Sequence, residues 1–184
     1  MCIIIYKPAG IKLPEYEMRL RCELGNPDGF GFATPRRVYH SMDRKQFEKA
    51  LRTGIKKGEP AIIHCRIATH GSIKLSNCHP FVDEQTGVAF AHNGVLSTVK
   101  PIKDKTDSET AFITRFVPVI KKYGLSSREL SAEVRDVIGG SRFIFMDSKG
   151  RVVKYGNWYK GEDGCWYSHY PYPYYFTKDG RLFV

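Results

Sequence analysis

Short apolar segments recur along the chain and alternate with longer segments that have helical periodicity. The strand-like segments are residues 2–6, 29–33, 37–41, 60–66, 87–93, 142–147 and 151–156. Apolar residues fall at helical spacing within residues 43–57, 107–123 and 126–138. The order of strands, helix, strands, two helices and a final hairpin predicts an α+β domain, with sheets packed together and helices outside.

Glycine and proline mark the limits of the helical segments. Gly58 follows the first segment and Gly139 follows the third, and both positions predict a helix end. Pro118 lies inside the second segment, where it would kink the helix unless the helix ends or restarts there.

The composition is that of a globular domain. The chain has 184 residues, 42 % apolar and 26 % charged, and we expect a single domain over residues 1–184. No segment approaches the roughly 18 consecutive apolar residues of a membrane-spanning helix, and residues 2–5 are too few for a signal-peptide core. The five cysteines are odd in number and irregularly spaced, which indicates reduced thiols. These features predict a cytoplasmic protein that does not bind membranes.

The formal net charge of +10 is spread along the chain, and no basic run is longer than two residues. This distribution is typical of a soluble basic surface. It leaves open a nucleic-acid or phosphorylated partner, although it gives such a partner only weak support.

The densest group of metal-ligating residue types is His64, Cys65, His70, Cys78 and His79. His64 and Cys65 are neighbours on a predicted strand and should point to opposite faces of the sheet. None of the cysteines has the Cys-x2-Cys spacing of a zinc ribbon or finger. We therefore expect no metal ion here, and we expect Cys65 to be a buried apolar thiol.

Cys2 directly follows the initiator methionine and precedes the apolar run of residues 3–5. If Met1 is removed, Cys2 carries a thiol and a free α-amine on the same carbon. An α-amine titrates near ~7.7–8.0 and can act as a base at neutral pH. Nucleophile and base would then come from one residue. The alternative is that a cysteine at the second position has no function.

Several further motifs occur in a fixed order: "NPDGFG" (26–31), "HCRIATHG" (64–71), "CHPF" (78–81), "AHNG" (91–94) and "TDSET" (106–110). With Cys2 and the stretch "GNWYKGEDGCWYS" (156–168), they resemble the class II glutamine amidotransferase domain, an N-terminal-nucleophile hydrolase. The resemblance spans nearly the whole chain. It implies a four-layer αββα sandwich of two antiparallel sheets flanked by helices, and it implies no cofactor.

The resemblance also implies roles for individual residues. Cys2 is similar to the nucleophile that attacks the side-chain amide of L-glutamine and forms a glutamyl thioester. Asn93 and Gly94 are similar to the oxyanion hole, where an amide N–H and a backbone N–H stabilise the tetrahedral intermediate. Asp28 and Gly29 are similar to the turn beside the nucleophile.

Four more residues resemble the part of the site that binds the free amino-acid end of glutamine. Arg66 is similar to the clamp on the α-carboxylate, since a guanidinium can bind both oxygens. Asp107 is similar to the partner of the α-ammonium group. Thr69 and His70 resemble neighbours of the substrate, with His70 in a positioning role and not as a base.

Each of these assignments has a structural alternative. Arg66 could form a surface ion pair, Asp107 could be a helix N-cap, and Asn93-Gly94 could form a hairpin turn. Two positions also depart from the family pattern, because Ile3 and Gly25 replace the glycine and arginine often found there. The second departure puts a substrate-coupled loop in doubt, but not the basic chemistry.

The acceptor of the ammonia is not identified by the sequence. We expect no acceptor domain in the residues after Asp107, and no phosphate-binding glycine loop is present. The resemblance, which extends to small bacterial and phage members of the family, therefore implies a separate synthase that receives ammonia. The aromatic segment 158–176 fits either an interface or packing over the sheet. Two other functions stay open: an amidase for another amide, and a catalytically inactive binding protein of the same fold.

Overall fold

The computed structural model describes residues 2–68 and 71–170, with the backbone of 175–176 and 182–183. The strands are β1 (Ile3–Lys7), β2 (Phe30–Thr34), β3 (Arg37–Ser41), β4 (Ala61–Cys65), β5 (Phe81–Asp83), β6 (Val88–Asn93), β7 (Arg142–Met146), β8 (Val152–Tyr155), β9 (Tyr159–Lys160), β10 (Trp166–Tyr167), β11 (Tyr175–Phe176) and β12 (Leu182–Phe183). The helices are α1 (Tyr16–Gly25), α2 (Arg44–Gly54), α3 (Asp107–Ala111), α4 (Val117–Tyr123) and α5 (Arg128–Val137).

The strands form two main antiparallel sheets. The first sheet has the order β3-β2-β4-β1-β10-β9, and the second has the order β5-β6-β7-β8. Strand β1 lies inside the first sheet and pairs with β4 on one side and β10 on the other. Strand β6 lies inside the second sheet, between β5 and β7. The segments that carry Cys2 and Asn93 therefore belong to different sheets.

Side-chain alternation along β1 shows how the layers are stacked. Ile3 and Ile5 point into an apolar core that α1 and α2 cover, whereas Ile4 points into a core between the two sheets. The second sheet has its own core with α3, α4 and α5 on its outer face. The layers follow one another as helices, sheet, sheet and helices. The predicted αββα sandwich is confirmed.

The core between the sheets is built partly from small residues. Ile4 and Ile62 of the first sheet meet Ala89, Ala91 and Ile144 of the second. Alanine side chains allow the two backbones to approach closely, because they fill little of the space between stacked sheets. This core therefore helps to set the spacing between the first and second sheets.

Helix caps explain why two of the predicted helices form where they do. The side chain of Asp43 accepts a hydrogen bond from the Gln46 N–H at the start of α2. The side chain of Ser127 accepts one from the Leu130 N–H at the start of α5. Helix α2 ends at Gly54, before the predicted stop at Gly58.

The predicted interruption at Pro118 is confirmed. A wide π-helical turn, Phe112–Phe116, separates α3 from α4, and Pro118 lies in the first turn of α4. Proline is tolerated in a first turn because its missing N–H needs no intrahelical partner there.

Helix α1 is absent from the predicted pattern because its buried face is partly polar. Arg19 and Glu23 are buried, and they form ion pairs with Glu48 and Arg44 of α2. Periodicity of apolar residues does not detect such a helix. In the described part of the chain, none of the helices has the length and apolarity to cross a bilayer.

Candidate active site

Cys2 lies at the start of β1 and is partly exposed. Its thiol donates a hydrogen bond to the Ile67 carbonyl oxygen (3.3 Å) and lies 3.4 Å from the Ile67 amide nitrogen. Burial raises the pKa of the Cys2 thiol, while the Ile67 N–H and the positive charge of Arg66 partly oppose this rise. A base is therefore needed to remove the thiol proton at neutral pH.

A partly open cavity brings together four of the residues that the sequence predicted for the site. Cys2, Arg66, Gly94 and Asp107 all line it. Other lining residues are Ile67, Asn77, His79, His92, Val95, Thr106 and Ser108. The predicted site residues 69 and 70 lie outside the described part of the chain.

Arg66 is held just beyond the end of β4 and is only 4 % exposed. Its Nη1 donates to the Ser72 carbonyl oxygen at 3.2 Å. Arg66 is therefore not a surface residue. The Arg66 N–H donates to the Gly29 carbonyl (2.8 Å) and the Arg66 carbonyl accepts from the Asp28 N–H (2.9 Å), so Asp28 and Gly29 lie beside Arg66.

Gly94 occupies a position that no other residue can adopt without strain. Its φ is +143°, and an added Cβ would lie 2.1 Å from the Ser141 Oγ. Asn93 is the last residue of β6 and pairs with Arg142 of β7, from which the helices α3–α5 separate it in sequence. Asn93-Gly94 does not form a hairpin turn, so that alternative is wrong.

The side chain of Asn93 is buried and reaches the end of β10. Its Nδ2 donates to the Ser168 Oγ at 2.8 Å and lies 3.3 Å from the Nδ1 of His169. The sequence did not predict Ser168 or His169 as site residues. Ser168 ends the family-like stretch 156–168, but that stretch assigned it no role, and only the register of β10 against β1 brings both residues to this end of the sheet.

Asp107 is the first residue of α3, and it links the helix to the loop after Gly94. Its Oδ2 accepts a hydrogen bond from the Leu96 N–H (2.9 Å), and its Oδ1 accepts one from the Ser108 N–H (2.8 Å). The N-cap of α3 is Thr106, whose Oγ1 accepts from the Glu109 N–H at 3.1 Å. The alternative that Asp107 is the N-cap is therefore wrong.

Three buried histidines lie close together, and two of them line the cavity. The rings of His64 and His79 have centroids 4.6 Å apart, and those of His79 and His92 are 6.4 Å apart. Burial lowers the pKa of all three, to about 3 for His64 and about 4 for His92. They are neutral at physiological pH. The Ser108 Oγ lies 2.7 Å from the Nδ1 of His92 and fixes that ring.

Cys65 points away from these histidines into the core beneath α1 and α2, as the strand alternation predicted. The described residues contain no group of three or more His, Cys, Asp or Glu side chains that could hold a metal ion.

Two residues of the aromatic segment, Trp158 and Trp166, pack on the protein itself, whereas Tyr159 and Tyr170 are exposed. The Nζ of Lys154 lies 3.2 Å from the centroid of the Trp166 ring and 5.5 Å from those of Trp158 and Tyr6. The two tryptophans therefore cover the edge of the sheets, which is the packing alternative for these residues. Residues 171–174 lie outside the described part of the chain.

A sequence profile described as "Glutamine amidotransferases class-II" matches residues 41–143, more than half of the chain. The protein therefore belongs to the class II glutamine amidotransferases.

Individual relatives agree with this assignment. A glutamine–fructose-6-phosphate aminotransferase (isomerizing) of Rhizobium leguminosarum bv. viciae is 29 % identical over 82 % of this chain and 27 % of its own length. The same enzyme of Chlamydia abortus is 37 % identical over 38 % of this chain and 10 % of its own length. The chain spans about a quarter or less of the length of these curated relatives.

Solved structures show the same fold. Glutamine phosphoribosylpyrophosphate amidotransferase from B. subtilis superposes with a TM-score of 0.57 at 16 % identity, covering 91 % of this chain and 41 % of that one. A structure described as the allosteric regulatory enzyme of purine biosynthesis gives a TM-score of 0.56 at 15 % identity. At this level of identity, the match concerns the fold alone.

Proposed function

We propose that this chain hydrolyses L-glutamine to glutamate and ammonia, with Cys2 as the nucleophile once Met1 has been removed. The observation that carries the proposal is the single cavity lined by Cys2, Arg66, Gly94 and Asp107. Family membership supports the substrate class.

In the first half of the reaction, the α-amine of Cys2 takes the thiol proton, directly or through a water molecule. The Sγ then attacks the side-chain amide carbon of glutamine, and the carbonyl oxygen becomes an oxyanion. Asn93 Nδ2 and the Gly94 N–H are the donors proposed for this oxyanion. The C–N bond breaks when the nitrogen takes up the proton held by the amine, so ammonia leaves and a thioester remains.

In the second half, the same α-amine activates a water molecule that attacks the thioester carbon. The C–S bond breaks, glutamate is released, and the thiol recovers its proton. The raised pKa of the buried thiol makes the amine important, because few thiolates exist at neutral pH without it.

The charges at the other end of the cavity select a free amino acid. Arg66 would bind the α-carboxylate, and Asp107 would bind the α-ammonium through lone pairs that its backbone hydrogen bonds leave available. Thr69 and His70 are proposed as neighbours of the same end. A glutamine inside a peptide carries neither charge, so it would bind poorly.

We further propose that the ammonia passes to a separate acceptor protein. Curated relatives are named as transferases that use glutamine and are several times longer than this chain. The loops that contribute Asn77, Val95 and Thr106 to the cavity also carry exposed apolar side chains of the kind found at interfaces. These are Ile73, Leu75, Val95 and Ile102. The Nζ of Lys74 donates to the Asp104 carbonyl and joins two of the loops that carry them. The comparisons give no support to a nucleic-acid partner.

An ammonia-release assay combined with intact-mass analysis tests the proposal. We expect protein that has lost Met1 to release ammonia from L-glutamine, and Cys2→Ala to release none. Cys65→Ala is the matched control, because this buried thiol points away from the cavity. Processed protein that releases ammonia from another amide but not from glutamine would favour an amidase of different specificity. Protein that retains Met1 and releases none would favour an inactive binding protein.

A further inference from the structure

Ser168 follows β10 and is completely buried between the strand that carries Cys2 and the side chain of Asn93. Its backbone N–H donates to the Ile4 carbonyl at 2.9 Å. Its Oγ accepts one hydrogen bond from the Ile4 N–H (2.9 Å) and another from the Nδ2 of Asn93 (2.8 Å). One hydroxyl oxygen therefore ties the first sheet to the amide on the second sheet.

The two N–H groups of the Asn93 amide have unequal partners. The bond to the buried Ser168 is 2.8 Å long, whereas His169, which is only half buried, lies 3.3 Å away. A shorter hydrogen bond in a water-free environment is the stronger one. The N–H on the His169 side can therefore change partner more easily, while the N–H on Ser168 stays fixed.

The orientation of the Asn93 amide depends on its hydrogen bond to Ser168. The terminal torsion of asparagine is broad and has no sharp rotamer wells, so packing or a hydrogen bond must set the orientation of the amide. The Oδ1 of Asn93 is buried and has no hydrogen-bond partner among the described residues. Its Nδ2 contacts are therefore what holds the group, and Ser168 provides the shorter of the two.

We infer that Ser168 is a positioning residue for glutamine hydrolysis: it orients the Asn93 amide so that one N–H points to the developing oxyanion. The inference rests on the proposed function of this site. Ser168 does not line the cavity, and we expect it to act on the reaction through Asn93. The same Oγ also accepts a hydrogen bond from the Ile4 N–H of β1, which fixes the serine that holds the amide.

The inference predicts a change in kcat and not in KM. Loss of one oxyanion donor costs on the order of 10²–10³ in kcat in other enzymes, and a misaligned donor should cost less. For Ser168→Ala we expect kcat to fall by roughly 10- to 100-fold, with KM for glutamine within about twofold of wild type. Ser168→Thr keeps the hydroxyl and should retain more activity than Ser168→Ala.

A double variant separates positioning from simple loss of stability. If Ser168 acts through Asn93, then Ser168→Ala should have little further effect on kcat in an Asn93→Ala background. Ser41→Ala is the matched control, because Ser41 is also buried and its Oγ accepts a backbone N–H at 2.9 Å outside the cavity. We expect Ser41→Ala to lower the urea midpoint while kcat is unchanged.

The outcomes distinguish this inference from the proposed function. Processed wild type that releases no ammonia overturns the proposed function and the role of Ser168 together. Normal release by wild type, with Ser168→Ala equally active, overturns only the role of Ser168. If Ser168→Ala lowers kcat by the same factor in the Asn93→Ala background as in the wild-type protein, the role of Ser168 is also overturned, because the two residues would then act independently.

Discussion

The buried histidines should make the fold sensitive to acid, and His64 allows this to be tested away from the cavity. His64 is completely buried, and neither of its ring nitrogens has a hydrogen-bond partner among the described residues. Burial, with smaller contributions from His92 and Arg66, lowers its pKa to about 3. The unfolded chain therefore binds more protons than the folded chain below pH 6.5, so stability falls as the pH falls.

The size of the effect follows from the two protonation equilibria. At pH 5 a histidine in the unfolded chain, with a pKa near ~6.5, is almost fully protonated, whereas His64 in the folded chain stays neutral. The free energy of unfolding should therefore drop by about 2 kcal/mol per such histidine between pH 8 and pH 5. His92, with a pKa of about 4, should contribute a similar loss, and His79 acts in the same direction. Small domains have only about 5–15 kcal/mol in total, so the loss is large.

Urea unfolding of wild type and His64→Phe at pH 8 and pH 5 measures this contribution. Phenylalanine keeps a ring beside His79 and cannot be protonated. Any packing cost of the substitution is the same at both pH values and cancels in the comparison. We expect the variant to lose about 2 kcal/mol less than wild type between the two conditions. Equal losses would refute the reasoning, since His64 would then not be a neutral buried group.

Three other substitutions test the site and the helix layer. Arg66→Ala should raise the KM for glutamine at least about tenfold in steady-state kinetics, the equivalent of one lost charge-assisted hydrogen bond. Cys65→Ala should leave this KM nearly unchanged. Equal effects of the two substitutions would mean that the strand faces are assigned wrongly. Gly94→Ala should lower the free energy of unfolding by at least about 2 kcal/mol in a urea assay, because residue 94 has a φ of +143° and the added Cβ would clash with Ser141. Gly58→Ala is the control and should be near neutral, because the space around Gly58 is open. Burial raises the pKa of Glu23 from 4.5 to about 7, so its contribution to the free energy of unfolding should fall as the pH rises through this range. Glu23→Gln should therefore recover up to about 3 kcal/mol at pH 8. If the difference in unfolding free energy between pH 5 and pH 8 is the same in the variant as in wild type, this prediction is wrong.

Local sequence pattern was sufficient for those elements whose buried faces are apolar. Helices α2 and α5 combine apolar periodicity with a side-chain cap at Asp43 and at Ser127, so both could be predicted. Helix α1 could not, because Arg19 and Glu23 on its buried face form ion pairs with α2. Their partners are more than 20 residues away in sequence, so no local pattern shows that these buried polar side chains have ion-pair partners.

The same distinction holds at the candidate site. The ordered motifs pointed to several residues of the described chain, namely Cys2, Arg66, Asn93, Gly94 and Asp107. Four of these line one cavity, whereas Asn93 is not among the lining residues. The structure also explains why position 94 is a glycine, because φ is positive there and the backbone passes close to Ser141. Ser168 ends the family-like stretch 156–168, but that stretch indicated no role for it, since a serine after an aromatic pair fits many environments. Its position follows from the pairing of β10 with β1, which joins residues 164 apart in sequence.

The proposed nucleophile and the proposed oxyanion donor belong to different sheets, so their separation depends on how the sheets are joined. The small side chains Ala89 and Ala91 let β6 approach the first sheet closely. At the cavity end, Ser168 bonds to the backbone of β1 and to Asn93, while Asp107 holds the loop after Gly94. Catalytic geometry therefore depends on contacts between the layers, and a substitution that shifts one sheet should alter kcat even where it touches no substrate.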